Sequence, residues 1–398
     1  MVSLQERGGS VHKEVRVVAD RFFNHYDAYI KALKRVLGGD RWNTNQTIFK
    51  DGSPWLQILP KDGTEEDLKE GPADFAFVPF WISPQFGSVA DIILDVQMIG
   101  NALTHQERGR PPLAKEIIGI APYIELRFDG DSLISSSNHR EGEANHKVGE
   151  AIVAEIIAND LKAAKIKKVV LLDGHGSKGI GYLDAAGIEH IDVTMIPFYA
   201  RHLIKNKLVD SDTIVVSLDL GSFERCFNLC IRLNLNPATN MAVFNKLRDV
   251  PNAVKDFNLL YGNPEGKNLI ILDDGLDTAG SMKDNSRILK EKYHSKRVIF
   301  IATHGVLSYP ARDNIIQAIG NGYVDQLIIS DSLPKVIYDL ENIPQLTIIK
   351  TASIMAGAAK LFTFPKEKKE QILRTRSSMI LNPEDKNEFW QKFKAKYG

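Results

Sequence analysis

Residues Asn268 to Ser281 read NLIILDDGLDTAGS. The apolar run Leu269-Ile270-Ile271-Leu272 suits a buried parallel strand. Two acids, Asp273 and Asp274, follow it. A loop of small residues from Gly275 to Ser281 then opens onto a helix-like segment, Met282 to Lys292. Strand, small-residue loop and helix N-terminus together make an anion cradle. Backbone N–H groups of the loop and first turn point at the ligand, and Gly280 permits close backbone approach. Thr278 and Ser281 add hydroxyl donors. The paired acids suit ribose hydroxyls, or a magnesium ion that accompanies a phosphate. An ordinary strand-to-helix turn would explain the loop. It would not explain two adjacent carboxylates at a strand end, which repel each other with no evident structural gain.

The chain around this stretch has 398 residues, which favours two domains over one. Its 50 basic and 50 acidic residues balance, so no electrostatic case exists for a nucleic-acid or membrane partner. A hydrophobic content of 43% is enough for an ordinary soluble core. Cys226 and Cys230 lie one helical turn apart and are expected as buried thiols in a reducing, cytoplasmic setting. No signal-peptide core and no apolar run of membrane-spanning length occurs.

Upstream of the cradle, the residues to Glu14 read as a loose leader. Val15 to Ala19 is a strand candidate, and Phe22 to Leu37 has helical periodicity. Phe49-Lys50-Asp51-Gly52-Ser53-Pro54 reads as a hairpin turn. Phe75 to Phe80 and Ile117 to Tyr123 are strand candidates, with a helix expected from Ser83 to Ile99. The second strand leads to Glu125-Leu126-Arg127-Phe128-Asp129 and a polar stretch, Ser132 to His146. An amphipathic helix, Lys147 to Ala164, feeds a strand, Lys168 to Leu172. That strand ends in Asp173-Gly174-His175-Gly176-Ser177-Lys178-Gly179-Ile180-Gly181-Tyr182. A histidine at the C-terminal edge of a parallel strand is well placed as a metal ligand or phosphate contact.

A second βα series follows Ile191. The strand Thr213 to Ser217 ends in Ser217-Leu218-Asp219-Leu220-Gly221-Ser222-Phe223-Glu224-Arg225. The strand Met241 to Phe244 leads to Asn245-Lys246-Leu247-Arg248 and a long loop to Asn263. Beyond the cradle, Val298 to Ala302 leads into Thr303-His304-Gly305-Val306-Leu307-Ser308-Tyr309-Pro310, and Leu327 to Ser330 into Asp331-Ser332-Leu333-Pro334. Leu346 to Lys350 is the last strand and Ala352 to Leu361 the last helix. The repeated strand–helix alternation implies an α/β fold with parallel sheets.

In family order, these elements resemble those of the ribose-phosphate diphosphokinases, the synthetases of phosphoribosyl diphosphate (PRPP). The cradle resembles their PRPP loop, and His175 with Asp173, Gly181 and Tyr182 resembles their Asp-Leu-His-Ala-x-Gln-…-Gly-Phe element, with Lys178 replacing the glutamine. The Lys-x-Arg at Lys246 and the Gly-Asn-Pro-x-Gly before the cradle strand resemble the plant-type, class II members. The chain departs at Glu125 to Asp129, which keeps an arginine and an aspartate but lacks the family's glutamine, second arginine and lysine.

The resemblance implies two tandem type I phosphoribosyltransferase-like domains, at 15–191 (the ATP side) and 192–350 (the ribose phosphate side). Residues 351–398 would form a helix returning to the first domain and an extra tail. It also implies magnesium-dependent transfer of diphosphate from ATP to ribose 5-phosphate, giving PRPP and AMP. Phe49, Asp51, Arg127, Asp129 and His175 would hold ATP, with Phe49 and Asp51 reaching a neighbouring subunit's site in a homo-oligomer. His175 and Asp219 would hold the metal. Asp219, Asp273, Asp274, Asp277, Thr278, Ala279, Gly280 and Ser281 would hold the sugar phosphate, and Lys246 and Arg248 would act on the moving diphosphoryl group. Three alternatives stand beside this reading. One is the same chemistry on ADP-ribose; one is a non-catalytic regulatory relative, against which Lys246, Arg248, His175 and the acidic pair argue. The last is a PRPP-consuming phosphoribosyltransferase, for which one domain would suffice.

Overall fold

The computed structural model describes residues 31, 35, 42–48, 54–60, 73–82, 114–124, 127–129, 132–135, 153–174, 177–247, 256–333, 335–367 and 369. The expected strand at Val15–Ala19 and the helix from Ser83 lie outside these residues. So do the loop at Phe49–Ser53 and all of the tail beyond Lys369.

Two sheets organise the chain. The first begins with β1 (Trp42–Ile48), β2 (Pro54–Pro60), β3 (Ala73–Ile82) and β4 (Ala114–Ile124). A small ribbon, β5 (Arg127–Asp129) and β6 (Ser132–Ser135), precedes α1 (Val153–Ala163), β7 (Ile166–Leu172), α2 (Ser177–Ala185) and β8 (Glu189–Val193). The sheet runs in the order β1-β2-β3-β4-β7-β8. Its β3-β4-β7-β8 portion is parallel. β1 and β2 form an antiparallel hairpin, with Ile48 opposite Pro54. Because β8 runs to Val193, a boundary at Ile191 would fall inside the last strand of the first sheet.

The second sheet comprises β9 (Thr213–Ser217), β10 (Met241–Leu247), β11 (Asp256–Tyr261), β12 (Asn268–Leu276), β13 (Arg297–Gly305), β14 (Gln326–Ser330) and β15 (Leu346–Ile349). The helices in this half are α3 (Ile196–Lys205), α4 (Phe223–Arg232), α5 (Pro237–Asn240), α6 (Gly280–Glu291), α7 (Ala311–Gly320), α8 (Lys335–Asp339) and α9 (Ala352–Leu361). The strand order is β11-β10-β9-β12-β13-β14-β15. All pairs are parallel except β10 with β11.

Strand alternation explains how the two halves join. On one face of the second sheet Val215, Ile270, Ile299 and Ile328 enter a single core with Phe77, Ile118 and Val170 of the first sheet. Side chains of α3, α4 and α9 fill the space between, including Tyr199, Phe223, Cys226 and Met355. On the other face Ile214, Val216, Leu269, Ile271 and Phe300 pack with α6 and α7 residues such as Met282, Leu289 and Ile315. Both faces are buried, which is why these strands read as unbroken apolar runs. Phe223, Cys226, Phe227 and Cys230 sit at helical spacing on α4 and are all buried. Both cysteines are free thiols, and burial pushes each up to about 12. The last helix, α9, packs against β4, β7 and β8 of the first sheet.

Two sequence expectations need correction. The acids Asp273 and Asp274 do not follow the cradle strand but lie within it, since β12 continues to Leu276. Pairing with β13, including Asp273 opposite Ala302 and Gly275 opposite His304, carries the ladder past the apolar run. Likewise Asn245, Lys246 and Leu247 belong to β10 and do not begin a long loop. β11 pairs with them antiparallel, with Lys246 opposite Phe257. Backbone pairing with a partner strand outweighs the polar character that made this segment read as loop. Gly262, just past the end of β11, sits at φ +81, where a Cβ would collide with the Met241 carbonyl.

Candidate active site

Strands β9 and β12 are neighbours, yet the chain leaves β9 toward β10 and β12 toward β13. The crevice beyond their C-terminal ends is therefore a topological switch point, where open α/β sheets bind ligands. Three acids meet there. Asp219 lies in the exposed turn after β9, and its Oδ1 accepts the Ser222 N–H at 2.9 Å. Asp273 accepts the Asp274 N–H at 2.9 Å. Burial, then the nearby Asp274 and Asp219 charges, hold the Asp273 carboxyl well above the usual carboxylate range. Asp274 has a cation for itself: Arg225 Nη1 lies 2.9 Å from its Oδ2, with both side chains largely buried. The acidic pair is thus unlike in its two members. One acid is matched by an arginine, and the other is pushed toward its neutral form by burial and by the charges of Asp274 and Asp219.

The cradle follows β12. Ala279 takes a left-handed conformation, φ 58 and ψ 7, and precedes the first residue of α6, Gly280. An alanine there is strained by about 1 kcal/mol or more. It supplies no side-chain cap to the first turn of α6, so the helix presents backbone N–H donors and the positive end of its dipole to the crevice. A Cβ on Gly280 would meet only Thr278 Oγ1, at an ordinary 3.6 Å. Packing among the described residues does not demand glycine at this position. Asp277 Oδ1 is buried with no hydrogen-bond partner among the described residues, an acceptor left for a ligand hydroxyl or an ordered water. From α7, Asn314 Nδ2 donates to the Thr278 carbonyl at 2.9 Å, while Lys283 Nζ donates to Asn314 Oδ1 at 2.6 Å. These contacts brace the loop from behind.

Across the joint lies the exit of β7. Asp173 sits at φ 43, almost fully buried. Its Oδ2 accepts from Thr303 Oγ1 at 2.7 Å and from the Met195 N–H at 3.1 Å. The Gly174 N–H faces both carboxylate oxygens of Asp192, at 3.1 and 3.2 Å. Burial pushes the Asp192 carboxyl up to about 7, with the Gly174 N–H opposing. His304, at the end of β13, donates from Nε2 to the Leu172 carbonyl at 3.0 Å, since a carbonyl can only accept. Its Nδ1, 2.9 Å from Ser332 Oγ, is then an acceptor facing that hydroxyl. Burial lowers the ring to about 4, so it is neutral at physiological pH.

The structure thus brings Asp219, Asp273, Asp274, Asp277, Thr278, Ala279, Gly280 and Ser281 to one crevice. Lys246 is in β10, and Arg127 and Asp129 are in β5, with their side chains outside the described residues. Phe49, Asp51, His175 and Arg248 also lie outside. Sequence reasoning assigned no role to Arg225, Asp192, Thr303, His304 or Asn314. Arg225 and His304 stood inside quoted motifs, but their partners are far away in the chain. Among the described residues no cluster of three or more histidine, cysteine, aspartate or glutamate side chains is arranged to hold a metal ion. Asp219 and Asp273 are nevertheless hard oxygen donors. That suits a magnesium ion completed by water and phosphate and not by a protein cage. Nor, among the described residues, is any helix long and apolar enough to cross a membrane.

No protein-family model matches the chain. Among curated proteins it resembles a ribose-phosphate pyrophosphokinase of Synechocystis sp., with 27% identity over 82% of this chain and 84% of that one. A Thermosipho africanus protein of the same name is 32% identical over 52% of this chain and 61% of its own length. A chloroplastic ribose-phosphate pyrophosphokinase of Spinacia oleracea is 30% identical over 61% of this chain and 54% of that one. Among solved structures, a phosphoribosylpyrophosphate synthetase from Mycobacterium smegmatis superposes with a TM-score of 0.63, covering 85% of this chain and 95% of that one at 22% identity. That likeness establishes the fold: tandem α/β units of the type I phosphoribosyltransferase kind.

Proposed function

We propose, on the premise that the chain belongs to the ribose-phosphate pyrophosphokinase family, that it moves a diphosphoryl group from ATP to the anomeric hydroxyl of ribose 5-phosphate. The hydroxyl oxygen attacks the β-phosphorus and the bond from that phosphorus to the α,β-bridging oxygen breaks. AMP leaves with the electron pair, and the hydroxyl proton passes to solvent. The observation that carries the reading is the uncapped N-terminus of α6, opened by Ala279 and Gly280, beside Asp219 and Asp273 at the switch point. In it the cradle, Asp277 to Ser281, takes the 5-phosphate on backbone N–H groups and hydroxyls. Asp219 and Asp273 take ribose hydroxyls and a magnesium ion, which supplies charge neutralisation for the phosphates.

ATP lies on the first-sheet side, with His175, Arg127 and Asp129, and with Phe49 and Asp51 reaching across subunits of a homo-oligomer. In this reading Lys246 and Arg248 neutralise the diphosphoryl group in transit. The residues up to Val193 form the ATP half in this reading, and those from Thr194 to Lys350 the pentose half, of a cytoplasmic enzyme. The test is incubation with ATP, magnesium and equal ribose 5-phosphate and ADP-ribose, with products resolved by mass. PRPP and AMP are expected to dominate. A diphosphorylated ADP-ribose as main product would replace the acceptor, and absence of AMP with either acceptor would overturn the reading.

A further inference from the structure

Three successive carbonyls at the exit of β7 accept hydrogen bonds from the other half of the molecule. Leu172 O takes His304 Nε2 at 3.0 Å. Asp173 O and Gly174 O take Arg225 Nη2 at 3.4 and 3.2 Å. The N–H groups of the same turn are held within the first sheet. Asp173 N donates to Val193 O at 2.7 Å, and Gly174 N to Asp192. The turn is therefore fixed on one edge by its own sheet and on the other by the pentose side. The residue that follows it in the chain is His175.

Arg225 is suited to this bridging role. It sits in the first turn of α4, just after the turn that carries Asp219, and its side chain is only 13% exposed. A guanidinium is a rigid fork with donors on separate arms. One arm faces Asp274 on β12 and the other faces the β7 exit. One residue thus touches or adjoins the exits of β7, β9 and β12, the strands that frame the crevice. A buried pair that served packing alone would need no second arm, since replacing such a pair by apolar residues is often neutral or stabilising.

We propose that Arg225 is a positioning residue that locks the nucleotide-side turn at Gly174 to the pentose-side strand. In doing so it divides the acidic pair into a clasp acid, Asp274, and a ligand-facing acid, Asp273. This rests on the reading of the site given above. The pentose phosphate and the nucleotide bind to different sheets, and in-line attack requires their reacting atoms to approach within about 3 to 3.5 Å. A fork spanning both sheets sets that spacing before either substrate arrives.

The test pairs Arg225→Lys with Asp274→Asn and Asp273→Asn. Lysine keeps a positive charge facing Asp274 but loses the second arm. Arg225→Lys should therefore raise KM for ATP tenfold or more and leave KM for ribose 5-phosphate within threefold. Backbone hydrogen exchange should accelerate in the peptide containing Gly174. Asp274→Asn should follow Arg225→Lys, whereas Asp273→Asn should raise KM for the sugar phosphate. Circular dichroism melts identify any variant that is simply unfolded, and the other variants then decide. If Arg225→Lys moves both KM values together or neither, or if Asp274→Asn behaves as Asp273→Asn does, the clasp is refuted. If the wild type makes no AMP, the functional reading fails by itself. The exchange experiment still decides the clasp, since unchanged exchange at Gly174 in Arg225→Lys refutes it without any substrate.

Discussion

Asp192→Asn should stabilise the protein at neutral pH and do little at pH 4. The Asp192 carboxyl is pushed from its ordinary 3.8 to about 7, chiefly by burial. Between these values the folded protein keeps a proton that the unfolded chain has released. The unfolded state then binds fewer protons, so stability falls as pH rises through the window. The two values differ by about 3, which corresponds to about 4 kcal/mol, fully developed at and above pH 7. Asparagine removes the titration and retains a side-chain oxygen for the Gly174 N–H, now 3.1 Å from Oδ1 of Asp192. The assay is urea denaturation of both proteins from pH 4 to pH 8. The free-energy difference should move by about 4 kcal/mol in favour of the mutant across that range. His304 works with the opposite sign. Burial lowers it from 6.5 to about 4, so the unfolded state takes up a proton first as pH falls, and about 3 kcal/mol is lost between these values. The two groups offset each other in the wild type, and Asp192→Asn should unmask a stability that rises with pH. A pH-independent difference between the two proteins would refute the reasoning.

Lys246→Ala and Arg248→Ala should each lower kcat by the equivalent of about 3 kcal/mol with little change in either KM, as expected for donors used in the transition state. Steady-state kinetics with kcat unchanged in both would remove the pair from the mechanism. Gly280→Val should raise KM for the acceptor and spare ATP binding, because among the described residues a Cβ there meets only an ordinary contact; a calorimetric loss confined to ATP would reverse the substrate assignment. Asn314→Ala, which removes the donor to the Thr278 carbonyl, should raise the same KM more mildly, and an unaltered value would show that the brace is dispensable. Asn285→Leu should stabilise the fold by roughly 1–3 kcal/mol, since both polar atoms of this fully buried side chain lack partners among the described residues; a lower melting temperature would mean that they are satisfied by an internal water.

The local grammar of the chain was legible in its residues. Thr213 to Ser217 and Ala352 to Leu361 are elements with the limits their periodicity suggests. The small-residue loop from Asp277 to Gly280 reads directly as an opened helix N-terminus, because glycine, alanine and threonine at a strand-to-helix turn have few other uses. Apolar runs reveal strands only as far as the apolar residues go. Asp273, Asp274, Thr303 and His304 are strand residues whose backbone is held by neighbouring strands, and their polarity hid them. Lys246 is in a strand for the same reason, through its pairing with β11. The partnerships at the site were beyond reach of the sequence. Thr303 and Asp173 are 130 positions apart, and His304 and Leu172 are 132 apart. Two adjacent aspartates look alike in one dimension. Only the packing of α4 against β12 gives Asp274 an arginine and leaves Asp273 buried beside Asp219, pushed toward its neutral form. A charge acquires its role from its neighbours in space, and those neighbours exist only once both sheets have closed on a common core.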